Sequence, residues 1–142
     1  MKSSGKVLVV DDDEDSRQLL THLLERKGYN VVLADGGRAA INALNGTEVD
    51  VVLLDVMMPV MDGFAVCQEL KKDPSTANLP VILLTARDDM ETRATGMNLG
   101  VQEFLAKPVN KEELFLRVRT QVEASHRARQ FDQTQLRLDS MT

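Results

Sequence analysis

The sequence predicts an α/β protein built on one open, parallel, five-stranded sheet with helices packed on both of its faces. Two observations predict this. Short runs of β-branched and aliphatic residues alternate five times with segments of helical periodicity. Each strand-to-strand crossover must be right-handed and must cover a face of the sheet, so the five units form a doubly wound layer structure, too few to close an eight-stranded barrel. A third observation concerns what the sheet carries. The apolar run at 51–54 delivers a carboxylate, Asp55, at its tip, and a strand buried on both faces gives an ionised Asp no reason to be there without a partner.

The elements follow in order. Residues 6–10 form the first apolar run, after which Leu19, Leu20, Leu23 and Leu24 recur at helical spacing until Gly28 stops the pattern. Residues 31–34 make the second strand. Past Gly36 and Gly37 comes an Ala-rich helix carrying Ala39, Ala40, Ala43 and Leu44 and ended by Asn45-Gly46. The third strand, 51–54, leads to a helix over 63–72 with Val66, Cys67 and Leu70 on one face; Asp73-Pro74 closes it before a polar loop at 75–78. Residues 81–84 are the fourth strand. The helix predicted over 88–98 is weak, poor in large apolar residues apart from Met90 and Met97, a weakness that would suit a switching element. Gly100 precedes the fifth strand, 101–106. The last helix opens at Asn110 with Glu113 three positions on, a capping-box arrangement, and carries Leu114, Phe115, Val118 and Val122 on its core face.

Composition bounds the function. A chain of 142 residues, 43% hydrophobic and 27% charged, suits one domain with a sizeable core. No apolar stretch approaches the ~20 residues that cross a bilayer, and residues 1–5 lead straight into a strand rather than a signal core, so the expected location is cytoplasmic, with no membrane partner. A net charge of −5 makes direct nucleic-acid binding a poor expectation. The single cysteine, Cys67, excludes an internal disulfide and a multi-cysteine zinc site, and its place on an apolar helix face predicts an inert core thiol. His22 and His126 have no His or Cys neighbours in sequence and are not credible metal or phosphotransfer sites.

In open sheets of this kind ligands sit beyond the carboxyl ends of the strands. Strand one ends in Asp11-Asp12-Asp13, strand three in Asp55, strand four in Thr85-Ala86, and strand five runs into Lys107-Pro108. These tips should converge on one crevice. Two carboxylates ~4 Å apart at an effective dielectric near 20 repel by about 4 kcal/mol, and a hard divalent cation resolves the conflict. Mg2+ is the small ion that accepts a few carboxylates while keeping room for water and a phosphate, and Lys107 offsets the cluster from the other side. An Asp carboxylate is also a nucleophile toward phosphorus, with a cation, an ammonium and the Thr85 hydroxyl to meet the transferred oxygens. The spacing therefore predicts that Asp55 receives a phosphoryl group.

Blander readings exist for each residue. Asp13, Glu14 and Asp15 suit the N-terminus of the first helix, but that explains neither Asp55 nor Lys107. Taken singly, Asp55 is a turn cap, Thr85 a helix N-cap, Lys107 a solvated loop lysine, and Phe104 a strand core residue. Met57, Met58 and Met61 read as loop packing. Asp11 to Asp15 superficially fit an EF-hand loop, which Ser16 at its sixth position and His22 at its twelfth exclude.

Together, "VLVVDDDEDSR", "VVLLDVMMPVMDGF", "PVILLTA" and "EFLAKP" resemble the signature blocks of the receiver domain of bacterial two-component response regulators, in the family's order. The resemblance covers residues 6–122 and implies the flavodoxin-like, CheY-like (βα)5 fold with strand order 2-1-3-4-5. It implies phosphorylation of Asp55 by a histidine kinase or a histidine phosphotransfer protein. Mg2+ would be held by Asp12, Asp55 and the backbone carbonyl of Met57, with Asp11 acting through water. It further implies that Thr85 and Lys107 contact the phosphoryl group, that the bond before Pro108 is cis, that Phe104 is an aromatic switch, and that Met57 and Arg87 set a slow self-dephosphorylation. The chain would then be no enzyme beyond its own phosphorylation and dephosphorylation. Its downstream partner is a separate protein or an output domain removed from the chain, and a phosphorylation-dependent homodimer is a further expected partner. Two other functions compete: a haloacid-dehalogenase-like phosphohydrolase using Asp11 and Asp13, against which stand Asp15 where that family has Thr and the lack of room for a cap, and an unphosphorylated receiver-like scaffold. Residues 1–5 read as a flexible N-terminus, and the polar segment 123–142 as a helical extension, a linker or a disordered tail.

Overall fold

The structure, a computed structural model, describes residues 4–86, 90–101 and 103–140, with side chains described as far as residue 130. Five strands, β1 (Gly5–Val10), β2 (Tyr29–Ala34), β3 (Val51–Asp55), β4 (Val81–Thr85) and β5 (Glu103–Ala106), alternate with five helices, α1 (Glu14–Arg26), α2 (Gly37–Gly46), α3 (Gly63–Lys72), α4 (Met90–Asn98) and α5 (Lys111–Ser140). All strand pairs are parallel and the order is β2-β1-β3-β4-β5. This is the doubly wound fold that the alternation predicts.

The continuous apolar strands are explained by their two faces. Val7, Val9, Val51, Leu53, Ile82, Leu84 and Leu105 pack with Leu20 and Leu24 of α1 and Leu114, Val118 and Val122 of α5. Leu8, Val10, Val52, Leu54, Leu83 and Phe104 point the other way, onto Ala40 of α2 and Val66, Cys67 and Leu70 of α3. Successive strand residues alternate faces, so a strand covered on both sides has no polar positions. Each fully buried aliphatic side chain contributes about 1.5–3 kcal/mol relative to exposure.

Several boundaries differ from the sequence reading. β1 and β2 begin earlier, at Gly5 and Tyr29, whereas β5 begins at Glu103 rather than 101, because Val101 donates its N–H to Gly96 in the turn after α4 (2.9 Å). Gly28 and Gly100, both at φ +89°, close α1 and α4 in the left-handed conformation that glycine adopts without strain. Of the four leucines at helical spacing Leu20 and Leu24 fill the stripe facing the sheet, and Leu19 is 55% exposed. Phe115 is only half-buried, its ring covered by the Lys27 ammonium 4.8 Å from the centroid. Asn110 does cap α5 through its side chain (Glu113 N–H to Oδ1, 3.0 Å), but Glu113 turns to Arg117 at 3.1 Å and does not complete a reciprocal box. Met90 and Met97 are exposed, and α4 buries only Gly96. Among the described residues no helix is long and apolar enough to cross a membrane.

Candidate functional site at the carboxyl edge of the sheet

The parallel register brings the carboxyl ends of four strands level. Val10 pairs with Leu54, Asp55 with Leu84, and Thr85 with Ala106, so the residues that follow β1, end β3 and β4, and follow β5 meet along one edge. Carboxylate oxygens of Asp11, Asp12 and Asp55 lie within 4.8 Å of one another.

Asp11 is fully buried, and both of its carboxylate oxygens are engaged. Oδ1 accepts the Asp13 N–H at 3.0 Å, and Oδ2 accepts from the Lys107 ammonium at 2.7 Å. Asp12 is exposed at the rim. Asp13 faces away as the N-cap of α1, accepting the Ser16 N–H (3.1 Å) and hydroxyl (2.9 Å), and those two bonds hold its pKa below the usual carboxylate value. Asp55 is 5% exposed. Burial pushes its pKa up to about 6, the neighbouring Asp11 adds to the rise, and Lys107, 3.5 Å away, only partly offsets it. For Lys107 itself, burial works against the charged form, but the bond to Asp11 and the attraction of Asp55 outweigh it and leave its pKa raised.

Thr85 is buried at the end of β4, and its carbonyl accepts the Lys107 N–H at 2.8 Å, tying the fourth and fifth tips together. The Lys107–Pro108 peptide bond is cis. Phe104 is buried, with its ring against α4 at Gly96, where a Cβ would come within 2.8 Å of it, and with the Arg93 guanidinium 5.5 Å from the ring centroid. On the loop after β3, Met58 is buried and Met61 packs on Gly37, as loop packing requires. Met57 departs from that reading, its side chain 72% exposed. Arg87 lies outside the described residues.

The chain leaves β3 in a narrow passage. Gly63 donates its N–H to the Val56 carbonyl (2.9 Å), and a Cβ at position 63 would stand 2.5 Å from the Asp55 carbonyl oxygen, so only glycine lets α3 start this close to the strand tip. Asp62 caps α3 by accepting the Ala65 N–H at 2.9 Å. Val60, a β-branched residue at φ 69°, occupies the left-handed region in this loop. Sequence reasoning named neither Gly63 nor Val60 as part of the site: the first looked like a helix start, and the second had no signal. It also missed Asp50, at the opposite end of β3, where an acid before a strand reads as a turn residue.

Residues 7–119 match the family model of the response regulator receiver domain. The chain belongs to the response regulator receiver family. This receiver is 40% identical over 128 residues to the probable transcriptional regulator ycf27 of Guillardia theta, a match covering 90% of the chain but 49% of that relative, so the chain spans about half its length. Among solved structures, the chemotaxis protein CheY4 of Vibrio cholerae superposes with a TM-score of 0.78 at 34% identity, covering 81% of this chain and 96% of that one. The receiver domain of the sensor histidine kinase PA1611 from Pseudomonas aeruginosa, at 26% identity and a TM-score of 0.78, covers 84% of this chain and 98% of its own; that protein was solved with a magnesium ion coordinated in its active-site cleft. The receiver is thus a signalling domain of the two-component type.

Proposed function

We propose that Asp55 is the phosphoacceptor of this receiver and that a histidine kinase or a histidine phosphotransfer protein supplies the phosphoryl group. The observation that carries the reading is the environment of Asp55. It is a nearly buried carboxylate at a strand tip, crowded by two other carboxylates and only partly compensated by Lys107. Asp11 is a poor candidate for the nucleophile, since both of its oxygens are already bonded, which counts against the haloacid-dehalogenase-like alternative.

In the transfer, a carboxylate oxygen of Asp55 attacks phosphorus, the bond from phosphorus to the donor imidazole nitrogen breaks, and the electron pair stays on that nitrogen. Lys107 holds its ammonium between Asp11 and Asp55, placed to pair with an oxygen of the incoming group, and Thr85 offers a hydroxyl from the adjacent tip. The residues fit a divalent cation. Three carboxylates within 4.8 Å of one another, one of them at the exposed rim, make a hard, anionic, all-oxygen donor set. Asp11, Asp12, Asp55 and the Met57 carbonyl would hold Mg2+, which supplies neutralisation of phosphoryl charge when bound.

Phosphorylation adds roughly −1.5 to −2 charge to the crevice. Thr85 and Phe104 then form the path to a changed surface, read by a downstream protein, an output domain or a second copy of the chain. Met57 offers no hydrogen bond to an attacking water and Arg87 would crowd the phosphoryl oxygens, so the acyl phosphate decays slowly, and the receiver works in the cytoplasm as a signal carrier. Incubation with acetyl phosphate and Mg2+ should add one phosphoryl group per chain, and excess chelator or Asp55→Asn should abolish the addition. Undiminished labelling in either case overturns the reading.

A further inference from the structure

The geometry points to Arg17 as a positioning residue of the phosphoacceptor crevice: its guanidinium grips the backbone carbonyl of Asp11 and so fixes where the buried Asp11 carboxylate meets Lys107. The inference rests on the phosphoacceptor reading above and extends it to a residue on α1 that touches none of the reacting atoms.

The strand ladder ends before Asp11. The β1 register with both β2 and β3 stops at Val10, after which the Asp11 N–H still reaches the Ala34 carbonyl at 3.2 Å while the chain turns out of the sheet toward α1. A buried carbonyl at such a turn needs a donor. Arg17 provides it. Its own N–H donates to the Asp13 carbonyl (3.1 Å) in the first turn of α1, and from there its half-buried side chain folds back so that a terminal guanidinium nitrogen donates to the Asp11 carbonyl at 2.8 Å. The contact goes to a carbonyl rather than a carboxylate, so its role is orientation of the backbone and not charge pairing.

Asp11 is thereby held at four points. Its N–H is fixed by β2, its carbonyl by Arg17, Oδ1 by the Asp13 N–H and Oδ2 by Lys107. The three partners other than Arg17 belong to the sheet, to the acidic turn itself or to the crevice. Of the four partners Arg17 is the one on α1, and it ties Asp11 itself to that helix, as the Asp13 cap on Ser16 ties the end of the turn. Without it, the turn carrying Asp11 and Asp12 is free to shift by the fraction of an ångström that separates a fitted oxygen cluster from a loose one.

Charge and position predict opposite signs here, which makes the inference testable. A positive side chain near an acidic cluster, acting only through its field, weakens cation binding, so its removal would tighten it. A positioning residue does the reverse. The test measures Mg2+ affinity by calorimetry, and the rate of phosphorylation by acetyl phosphate at saturating Mg2+, in the wild-type chain, Arg17→Met and Arg17→Lys, with melting curves for each. Arg17→Met should weaken Mg2+ binding and slow phosphorylation about tenfold each, in the range that loss of supporting bonds around metal ligands produces. Arg17→Lys, which keeps the charge but not the planar fork, should fall between. Should Arg17→Met fail to fold, Arg17→Lys is read in its place. Affinity that is unchanged or tighter in the folded variant overturns the inference, and a lowered melting temperature with unchanged affinity would show a merely structural contact. A wild-type chain that takes no phosphoryl group overturns the phosphoacceptor reading and this one together, whereas normal labelling of both wild type and Arg17→Met overturns this one alone.

Discussion

Asp50 and Asp55 stand at opposite ends of β3, each only 5% exposed, and their acidities move in opposite directions. At the amino end, the Asp50 carboxylate accepts the Lys6 N–H at 2.7 Å, pairs with Arg129, and lies 3.3 Å from the His126 ring, while its carbonyl accepts the Ser125 hydroxyl at 2.7 Å. Burial alone would raise its pKa, but the bonds from Lys6 and Arg129 win and lower it. At the carboxyl end, burial and the nearby Asp11 outweigh Lys107, and Asp55 rises to about 6. A buried acid that serves the fold is given its full set of donors; one kept for chemistry is left short of them, and the missing partners are what arrive from solution.

Substitution separates the two ends most strongly. At pH 7 without divalent cations, Asp50→Ala should cost about 2–4 kcal/mol in denaturant unfolding, since it strands the Lys6 N–H and the half-exposed Arg129. Asp55→Asn should stabilise the same protein, because a pKa raised from 3.8 to about 6 means that ionisation costs the folded state on the order of 3 kcal/mol. Two destabilising substitutions would erase the contrast.

Divalent cation should act on the carboxyl end alone. Mg2+ at a hundredfold excess over its dissociation constant should stabilise the wild type by about 2.7 kcal/mol, seen as a raised melting temperature. Asp50→Asn should keep that response, and Asp12→Asn should lose it while gaining stability in the metal-free state. If Asp12→Asn lowers metal-free stability instead, the carboxylates are structural caps.

Acidification offers a smaller, signed test. The raised Asp55 pKa contributes stability that is complete below the ordinary carboxylate value and lost as pH rises through about 6. The lowered Asp50 pKa contributes stability present above the ordinary value and lost as pH falls below it. The Asp55 contribution should therefore make the metal-free protein about 1 kcal/mol more stable at pH 5 than at pH 7, as the difference between wild-type and Asp55→Asn profiles. Asp50→Asn should flatten only the acid limb below the ordinary carboxylate value. A wild-type profile parallel to that of Asp55→Asn would contradict the raised Asp55 pKa.

The smallest effect on stability belongs to Met57. Its exposed side chain packs on little, so Met57→Asn should change unfolding free energy by less than about 0.5 kcal/mol. The same substitution, alone or with Arg87→Glu, should nonetheless shorten the lifetime of the acyl phosphate. Decay unaltered by both would remove these side chains from the timing.

The carboxyl end of the sheet was legible because its residues violate the rules for the positions they hold. An Asp closing "VVLL" and a Lys before a proline each have a bland local reading, but four polar tips in a doubly wound sheet must converge, and no local reading accounts for all of them together. The inner strands β3 and β4 were equally legible, since burial on both faces leaves almost no polar position to blur them, whereas the edge strands β2 and β5, partly open to solvent, were displaced at their starts. Asp50 was illegible for the converse reason: its partners Ser125, His126 and Arg129 come from a part of α5 whose polar sequence carries no core stripe, and nothing local tells which face meets the foot of β3. The helical spacing of four leucines foretold α1 but not which of them the sheet covers, and Leu19 lies outside that stripe. Gly63 shows a third kind of gap, in which a residue matters through the Cβ it lacks.

The most direct test maps the phosphoryl group itself. The wild-type chain is treated with acetyl phosphate and Mg2+, the acyl phosphate is trapped by borohydride reduction, and the modified residue is located by peptide mass spectrometry. The account predicts modification at Asp55 and none at Asp50, Asp11 or Asp12. A mark on any of those three, or an Asp55→Asn chain labelled as strongly as the wild type, would contradict it.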